Sequence, residues 1–247
     1  MVDTHCHLDS CRAPVAEVVE RARAAGLNRI ATVGMNDASI ERSLAAASDH
    51  DGVYVIAGRH PNEAGGWRPA DIDAVAAAAA DHSVRAIGET GLDYYRDTAP
   101  RDDQRRAFEA HIELATRLDL PLVIHTRDAI DDTLAMLRGT PTTVIMHCFS
   151  APERLDECVE AGYMCSFAGN VTYPKATALA DAARAVPDEL LLVETDSPYL
   201  APQEIRGKPN EPAHVVMTAR HLAELREVSY ETLEATIEAN AMRVFGW

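Results

Sequence analysis

The chain has almost no lysine. Of its 23 basic residues all but Lys175 and Lys208 are arginine, and 39 acidic residues bring the net charge to -16. No window supplies the basic stripe with which a protein grips nucleic acid by charge alone, so any contact with phosphate has to be local or metal-mediated. Paired cysteines are missing too. Cys6, Cys11, Cys148, Cys158 and Cys165 are odd in number and scattered, without zinc-ribbon or redox spacing, which points to a reducing compartment. No apolar run approaches the roughly 18 residues needed to span a bilayer. The N-terminus shows no charged stretch leading into an apolar signal segment. A soluble, cytoplasmic protein is expected.

What the sequence does have is alternation. Apolar runs short enough for buried strands end at His7 and recur at Asn28–Val33, Val53–Ala57, Arg85–Gly88, Pro121–Ile124, Thr143–Met146, Tyr163–Phe167 and Leu190–Val193. Between them lie helical stripes: Pro14–Ala25; Ile40, Leu44 and Ala47; Pro69–Asp81; Arg101–Leu118; Ile130, Leu134 and Leu137; and Leu179–Val186. Ser150 and Glu153 have the spacing of a capping box that opens one further helix, ended by Gly162. Helices near His214–Arg226 and Tyr230–Asn240 close the chain, and the alanine run Ala76–Ala80 reads as a helix packed closely on the sheet.

Eight apolar strands alternating with helices predict an α/β fold. With 247 residues and no linker, repeat or other low-complexity segment, the expectation is a single-domain (β/α)8 TIM barrel over residues 1–247. An open doubly wound sheet is the rival. It would usually bring a glycine-rich phosphate loop after the first strand, where this chain has His-Cys-His-Leu-Asp-Ser instead.

A barrel builds its active site at the C-terminal ends of its strands, so the residues there belong together. His5 and His7, two apart on a strand, share one face while Cys6 turns the other way. That spacing suits a chelate of zinc or a neighbouring transition metal, and equally a polar strand face. The third strand leads to His60, the fourth to Glu89, the fifth to His125, the sixth to His147 and the eighth to Asp196. Each has a plainer reading alone: a hydrogen-bonded core histidine, a helix cap, a turn former. Chance would have to hold at several strand ends at once, so a metal site is expected.

The segments His5–Asp9, Gly58–Pro61, Gly88–Tyr94, His125–Ala129, His147–Ser150 and Glu194–Leu200 resemble, in order, the signatures of the TatD family. Arg206-Gly207-Lys208, Asn210-Glu211-Pro212 and the ending Asn240–Gly246 extend the likeness over nearly the whole chain. The resemblance implies a metal-dependent hydrolase of the amidohydrolase superfamily, some of whose members are deoxyribonucleases working from DNA ends. Carried over by position, His5, His7 and Asp196 would hold one divalent ion, His125 and His147 a second, and Glu89 would bridge both. Some branches bridge with a carboxylated lysine, but no lysine here precedes Lys175. Zinc, manganese or magnesium would fit such ligands.

Two such ions would clamp an in-line displacement at phosphorus by a hydroxide held between them, with Asp196 orienting the water or accepting its proton. His60, not needed as a ligand, could hydrogen-bond a phosphate oxygen or the leaving group, and Arg127 could pair with phosphate. Asp9 and Asp128 are expected to support ligands or cap helices. Tyr94, Tyr95, Phe149 and Tyr199 could stack on bases. The expected substrate is a single-stranded or frayed DNA end, with RNA or a small phosphodiester as further candidates. The same site could instead open an ester or amide such as an aminoacyl-tRNA linkage. A non-catalytic metal-binding protein is disfavoured, because structural zinc sites are closed tetrahedra. No membrane association or obligate protein partner is evident.

Overall fold

A computed structural model describes residues 1–96 and 98–247. Eight strands form one parallel sheet in sequential order: β1 (Val2–Cys6), β2 (Arg29–Gly34), β3 (Val53–Ala57), β4 (Val84–Asp93), β5 (Leu122–Arg127), β6 (Val144–Met146), β7 (Met164–Phe167) and β8 (Leu191–Val193). Among the described residues nine helices cover it: α1 (Val15–Ala24), α2 (Asp37–Asp49), α3 (Ile72–Ala78), α4 (Arg101–Leu118), α5 (Ile130–Leu137), α6 (Leu155–Glu160), α7 (Thr177–Ala185), α8 (Val215–Leu225) and α9 (Tyr230–Phe245). This is the (β/α)8 barrel the alternation predicts. Both faces of the sheet are covered, which is why Val55, Ile56, Ile87, Ile124 and Met146 are all buried in nearly continuous apolar runs. No helix among the described residues is long and apolar enough to cross a membrane.

The last strand meets the first through a short seam. Asp196 N–H donates to His5 O at 2.9 Å, and His7 N–H donates to Ser197 O at 2.7 Å. Side chains reinforce it: Thr4 Oγ1 donates to Val193 O at 2.8 Å, and the buried Asp3 carboxylate accepts from Thr195 N–H at 2.9 Å and Thr195 Oγ1 at 2.6 Å.

Several expectations need correction. The fourth strand does not stop at Gly88 but continues through Glu89-Thr90-Gly91-Leu92-Asp93, all buried. Its polar letters hide the continuation, because Glu89, Thr90 and Asp93 are buried rather than turned to solvent. The pairing with β5 shifts between Ile87 and Thr90, so the strand bulges at Glu89. Gly91 (φ 136°) permits this course: a Cβ there would lie 2.0 Å from His125 O.

The capping box at Ser150 does not form. Ala151 precedes a short 3-10 turn, Pro152–Arg154, without a side-chain cap, and Pro152 fixes that turn's start instead. The alanine run packs on the barrel only in part: Ala76, Ala78 and Ala79 lie half-buried against the core, while Ala77 and Ala80 are exposed. Val75 is the fully buried residue of this helix, Ile72 packs beside it, and the helix ends at Ala78. The final helix runs past Asn240 to Phe245, because Ala241 and Phe245 are buried, and stops at the left-handed Gly246.

Gly91→Ala should therefore cost at least about 2 kcal/mol, from a backbone clash added to an unfavourable φ. The check is the urea midpoint. An unchanged midpoint would mean that the close approach of β4 to β5 imposes no constraint.

Candidate metal centre

All seven strand-end residues face one buried cluster at the barrel mouth. His5 lies in β1 and His7 one residue beyond it, their rings 5.2 Å apart. Cys6 between them turns outward, its thiol donating to Ala31 O at 3.4 Å. His60 follows β3, Glu89 occupies the bulge of β4, His125 sits within β5, His147 follows β6 and Asp196 follows β8.

Glu89 is the centre. Its Oε2 faces His5 Nε2 at 3.4 Å and His7 Nε2 at 3.9 Å. Its Oε1 faces His125 Nδ1 at 2.8 Å, His60 Nε2 at 3.4 Å and His147 Nε2 at 3.5 Å. Asp196 Oδ1 stands 3.3 Å from His7 Nε2. Three groups are compact enough to share an ion: His5, His7 and Asp196; His5, Glu89 and His147; and His60, Glu89 and His125. The family resemblance pairs His125 with His147 on one ion. Here each joins Glu89 in a different compact group, and their ring centroids are 6.3 Å apart.

Burial by itself would push the Glu89 carboxyl up. The neighbouring imidazoles of His60 and His147, the hydrogen bond from His125 and the nearby ring of His5 more than reverse this and hold it well below the ordinary range. Asp196 is likewise pushed up by burial and brought below its usual value by His7 and His147. Both carboxylates are therefore ionised at neutral pH. His147, lowered by burial, is raised to about 10 by Glu194 and Glu89. His5 stacks on His147 with centroids 3.6 Å apart, and burial and that neighbouring charge push it down.

The donor set fits a divalent cation. Buried ring nitrogens are normally hydrogen-bonded, yet Nδ1 and Nε2 of His5 and Nδ1 of His7 have no hydrogen-bond partner among the described residues. Imidazole nitrogens beside ionised carboxylates, left without hydrogen bonds, are what zinc, manganese or iron would satisfy.

Two residues to which the motifs assign no role orient the histidines. Glu194 Oε1 lies 2.7 Å from His147 Nδ1, and Asp93 Oδ2 lies 3.3 Å from His125 Nε2. With one nitrogen beside a carboxylate, the other faces Glu89, at 2.8 Å for His125 and 3.5 Å for His147. Asp9 and Asp128 do not take this role: Asp9 pairs with Arg42 at 2.9 Å, and neither meets a ring nitrogen of the cluster among the described residues. Asp9 lies two residues from His7 and Asp128 three from His125, whereas Asp93 and Glu194 reach His125 and His147 only through the barrel. Both are visible as carboxylates within the strand-end motifs.

His60 differs from the others. Its Nδ1 accepts Asn62 N–H at 3.0 Å, so in the neutral ring Nε2 carries the proton and is a donor aimed at the centre. Burial lowers its pKa, which favours that neutral form. His111, which no motif singles out, braces this loop. It is fully buried, its Nε2 accepts Arg59 N–H at 3.0 Å, and its Nδ1 donates to Ala107 O at 2.7 Å.

Arg127 ends β5 with its guanidinium 3.8 Å from the ring centroid of Tyr95, which is 62% exposed. Tyr199, 52% exposed, sets its ring 5.7 Å from that of His7. Tyr94 instead donates to Asp132, and Phe149 is buried against Phe167, so these two serve packing.

Known proteins are similar to this chain in sequence and architecture. The family model for TatD related DNases matches residues 2–246. The metal-dependent hydrolase YabD of Bacillus subtilis is 36% identical over 251 residues, covering 99% of this chain and 98% of YabD. The 3'-5' ssDNA/RNA exonuclease TatD of Klebsiella pneumoniae is 35% identical over 239 residues, 93% of this chain and 91% of that protein. The crystal structure of YJJV, a TatD homolog of Escherichia coli, superposes with a TM-score of 0.93 at 28% identity, covering 100% of this chain and 98% of the other.

Glu194→Gln should keep the fold and weaken divalent-metal binding by about 10- to 100-fold. A competition titration against a chelating dye measures it, and unchanged affinity would remove Glu194 from the support of His147. Burial pushes His111 down to about 4 from 6.5, so the stability it contributes is complete above pH 6.5 and lost as pH falls toward 4. Urea unfolding should show wild type losing on the order of 3 kcal/mol more than His111→Gln between pH 7 and pH 4. Parallel pH profiles would contradict that.

Proposed function

The chain belongs to the TatD related DNase family of metal-dependent hydrolases, and from that membership we propose that it is a two-metal exonuclease that shortens single-stranded or frayed DNA ends, and RNA ends by the same chemistry. The barrel over residues 1–247 is one catalytic domain in this reading. The observation that carries it is the orientation of Glu89, with Oε2 toward His5 and His7 and Oε1 toward His125 and His147. A bridging carboxylate needs one oxygen for each ion. One ion would be held by His5, His7 and Asp196, the other by His125 and His147, with Glu89 between them. Bound there, the pair would supply Lewis-acid activation of water and charge neutralisation at the scissile phosphate.

The chain's own groups do the rest. Asp196, ionised and set beside His7 at 3.3 Å, accepts the proton of the attacking water. His60 donates from Nε2 to a phosphate oxygen or to the departing 3′ oxygen, a role its Nδ1 contact with Asn62 prepares. Arg127 lies over Tyr95, where its guanidinium can meet a phosphate oxygen while the ring offers a face to a base. Similarity to the 3'-5' ssDNA/RNA exonuclease TatD of Klebsiella pneumoniae supports a single-stranded substrate and cutting from the 3′ end.

Metal-stripped protein resupplied with magnesium, manganese or zinc should shorten an end-labelled single strand stepwise, and Glu89→Ala should not. His60→Ala should lose about 10²-fold or more in kcat while still binding both ions. Loss of an ion would make His60 a ligand instead. Failure of two-metal wild-type protein to cut any strand would retire the nuclease reading in favour of an aminoacyl ester or a small phosphodiester.

A further inference from the structure

We propose, resting on the nuclease reading, that the part of the strand which stays intact leaves the centre over the loops after β7 and β8, its phosphates on Arg206, Lys208 and Arg12 and one base in the cavity beside them. The net charge of -16 makes the placement of cations informative, and both lysines of the chain, Lys175 and Lys208, lie on these two loops. Arg12, Lys175, Arg206 and Lys208 are exposed and form no ion pair among the described residues, whereas nearby Arg21 is neutralised by Glu211 at 2.7 Å. Glu204 and Glu211 are the acidic residues between Leu200 and α8, and Glu211 is taken up by Arg21. A phosphate chain is the anion that spaced, unpaired cations beside a nuclease centre would accept.

The surface is also built in advance. Gly169 lets the two loops touch: a Cβ there would lie 2.2 Å from Leu200 O. Tyr173 Oη donates to Ala201 O at 3.0 Å, and Gln203 N–H donates to Thr172 Oγ1 at 2.8 Å. Arg206 lies over the Tyr173 ring at 4.3 Å, which fixes a guanidinium without spending its charge. Buried Asn210 ties the stretch to the strand end by donating to Thr195 O at 3.1 Å and Tyr199 O at 2.6 Å. Little ordering is left for a strand to impose on binding.

Between this stretch and α1 opens a cavity of about 360 Å³. Ala13, Val18, Ile205 and Pro209 give it apolar lining suited to the face of a base; the exposed Arg12 and Lys208 also line it, as does the Arg21–Glu211 pair. It begins close to the centre, since Cys11 on its wall has its sulfur 3.6 Å from His7 O. The exposed ring of Tyr199, beside His7, spans the step between the two.

The test is cleavage of oligodeoxynucleotides of increasing length, from a dinucleotide upward, by metal-loaded wild type and an Arg206→Ala/Lys208→Ala double variant. Arg138→Ala, an exposed cation after α5 at the opposite end of the barrel, controls for the loss of positive charge. Wild-type kcat/KM should rise with length. The double variant should lose that rise, by about tenfold at the longest substrate, through KM, and its log–log salt dependence should flatten by about 0.7 for each phosphate that the protein no longer neutralises. The exchange Arg206→Lys with Lys208→Arg should keep the length dependence, and the control should match wild type. A double variant with the wild-type length profile and salt slope, or one equally impaired on the dinucleotide, overturns the proposal alone. Wild-type protein that cleaves no oligonucleotide overturns the nuclease reading, and this proposal with it.

Discussion

Closure of the barrel between its first and last strands is the constraint on which the centre depends. His5 and His7 come from the first residues of the sheet and Asp196 from beyond its last strand, and the seam sets them side by side. Two backbone hydrogen bonds, from Asp196 to His5 and from His7 to Ser197, join the very residues whose side chains converge. Buried Asp3 adds a staple through Thr195. A sheet that opened here would separate the histidines from the aspartate and leave Glu89 facing water.

The second requirement is electrostatic. A carboxylate enclosed by protein must be neutralised, and Glu89 is surrounded by five imidazoles from four different strand ends. The bulge in β4, with glycines on either side of Glu89-Thr90, carries this side chain into the mouth while the strand continues beyond it to Asp93. Asp93 then turns back on His125, so one strand supplies both the central carboxylate and an orienting one. Negative charge gathered around imidazoles with unpartnered nitrogens is an arrangement that a divalent cation completes.

The acidity of the chain and the activity proposed for it are reconciled by where the cations sit. Affinity for phosphate need not come from a basic surface if bound ions neutralise the scissile group and a few unpaired side chains hold its neighbours. Arg127 over Tyr95 and Arg206 over Tyr173 place guanidinium groups on aromatic rings on loops at the mouth, leaving their hydrogen-bonding edges free of carboxylates among the described residues.

The sequence alone determined the barrel and which residues crowd its mouth, because strand and helix periods are local properties and a parallel barrel sends every strand end to the same rim. His5, His7, His60, Glu89, His125, His147 and Asp196 could all be named on that ground. Tertiary structure decided what depends on distances between separate strands. It carried β4 on to Asp93 under polar residues that read as a loop, and gave the support of the histidines to Asp93 and Glu194 rather than to Asp9 and Asp128. It also gave each oxygen of Glu89 its own set of imidazoles and put the donor nitrogen of His60 toward the centre through a contact with Asn62. Periodicity records which way a side chain leaves its own strand; only the closed barrel fixes which nitrogen meets which carboxylate.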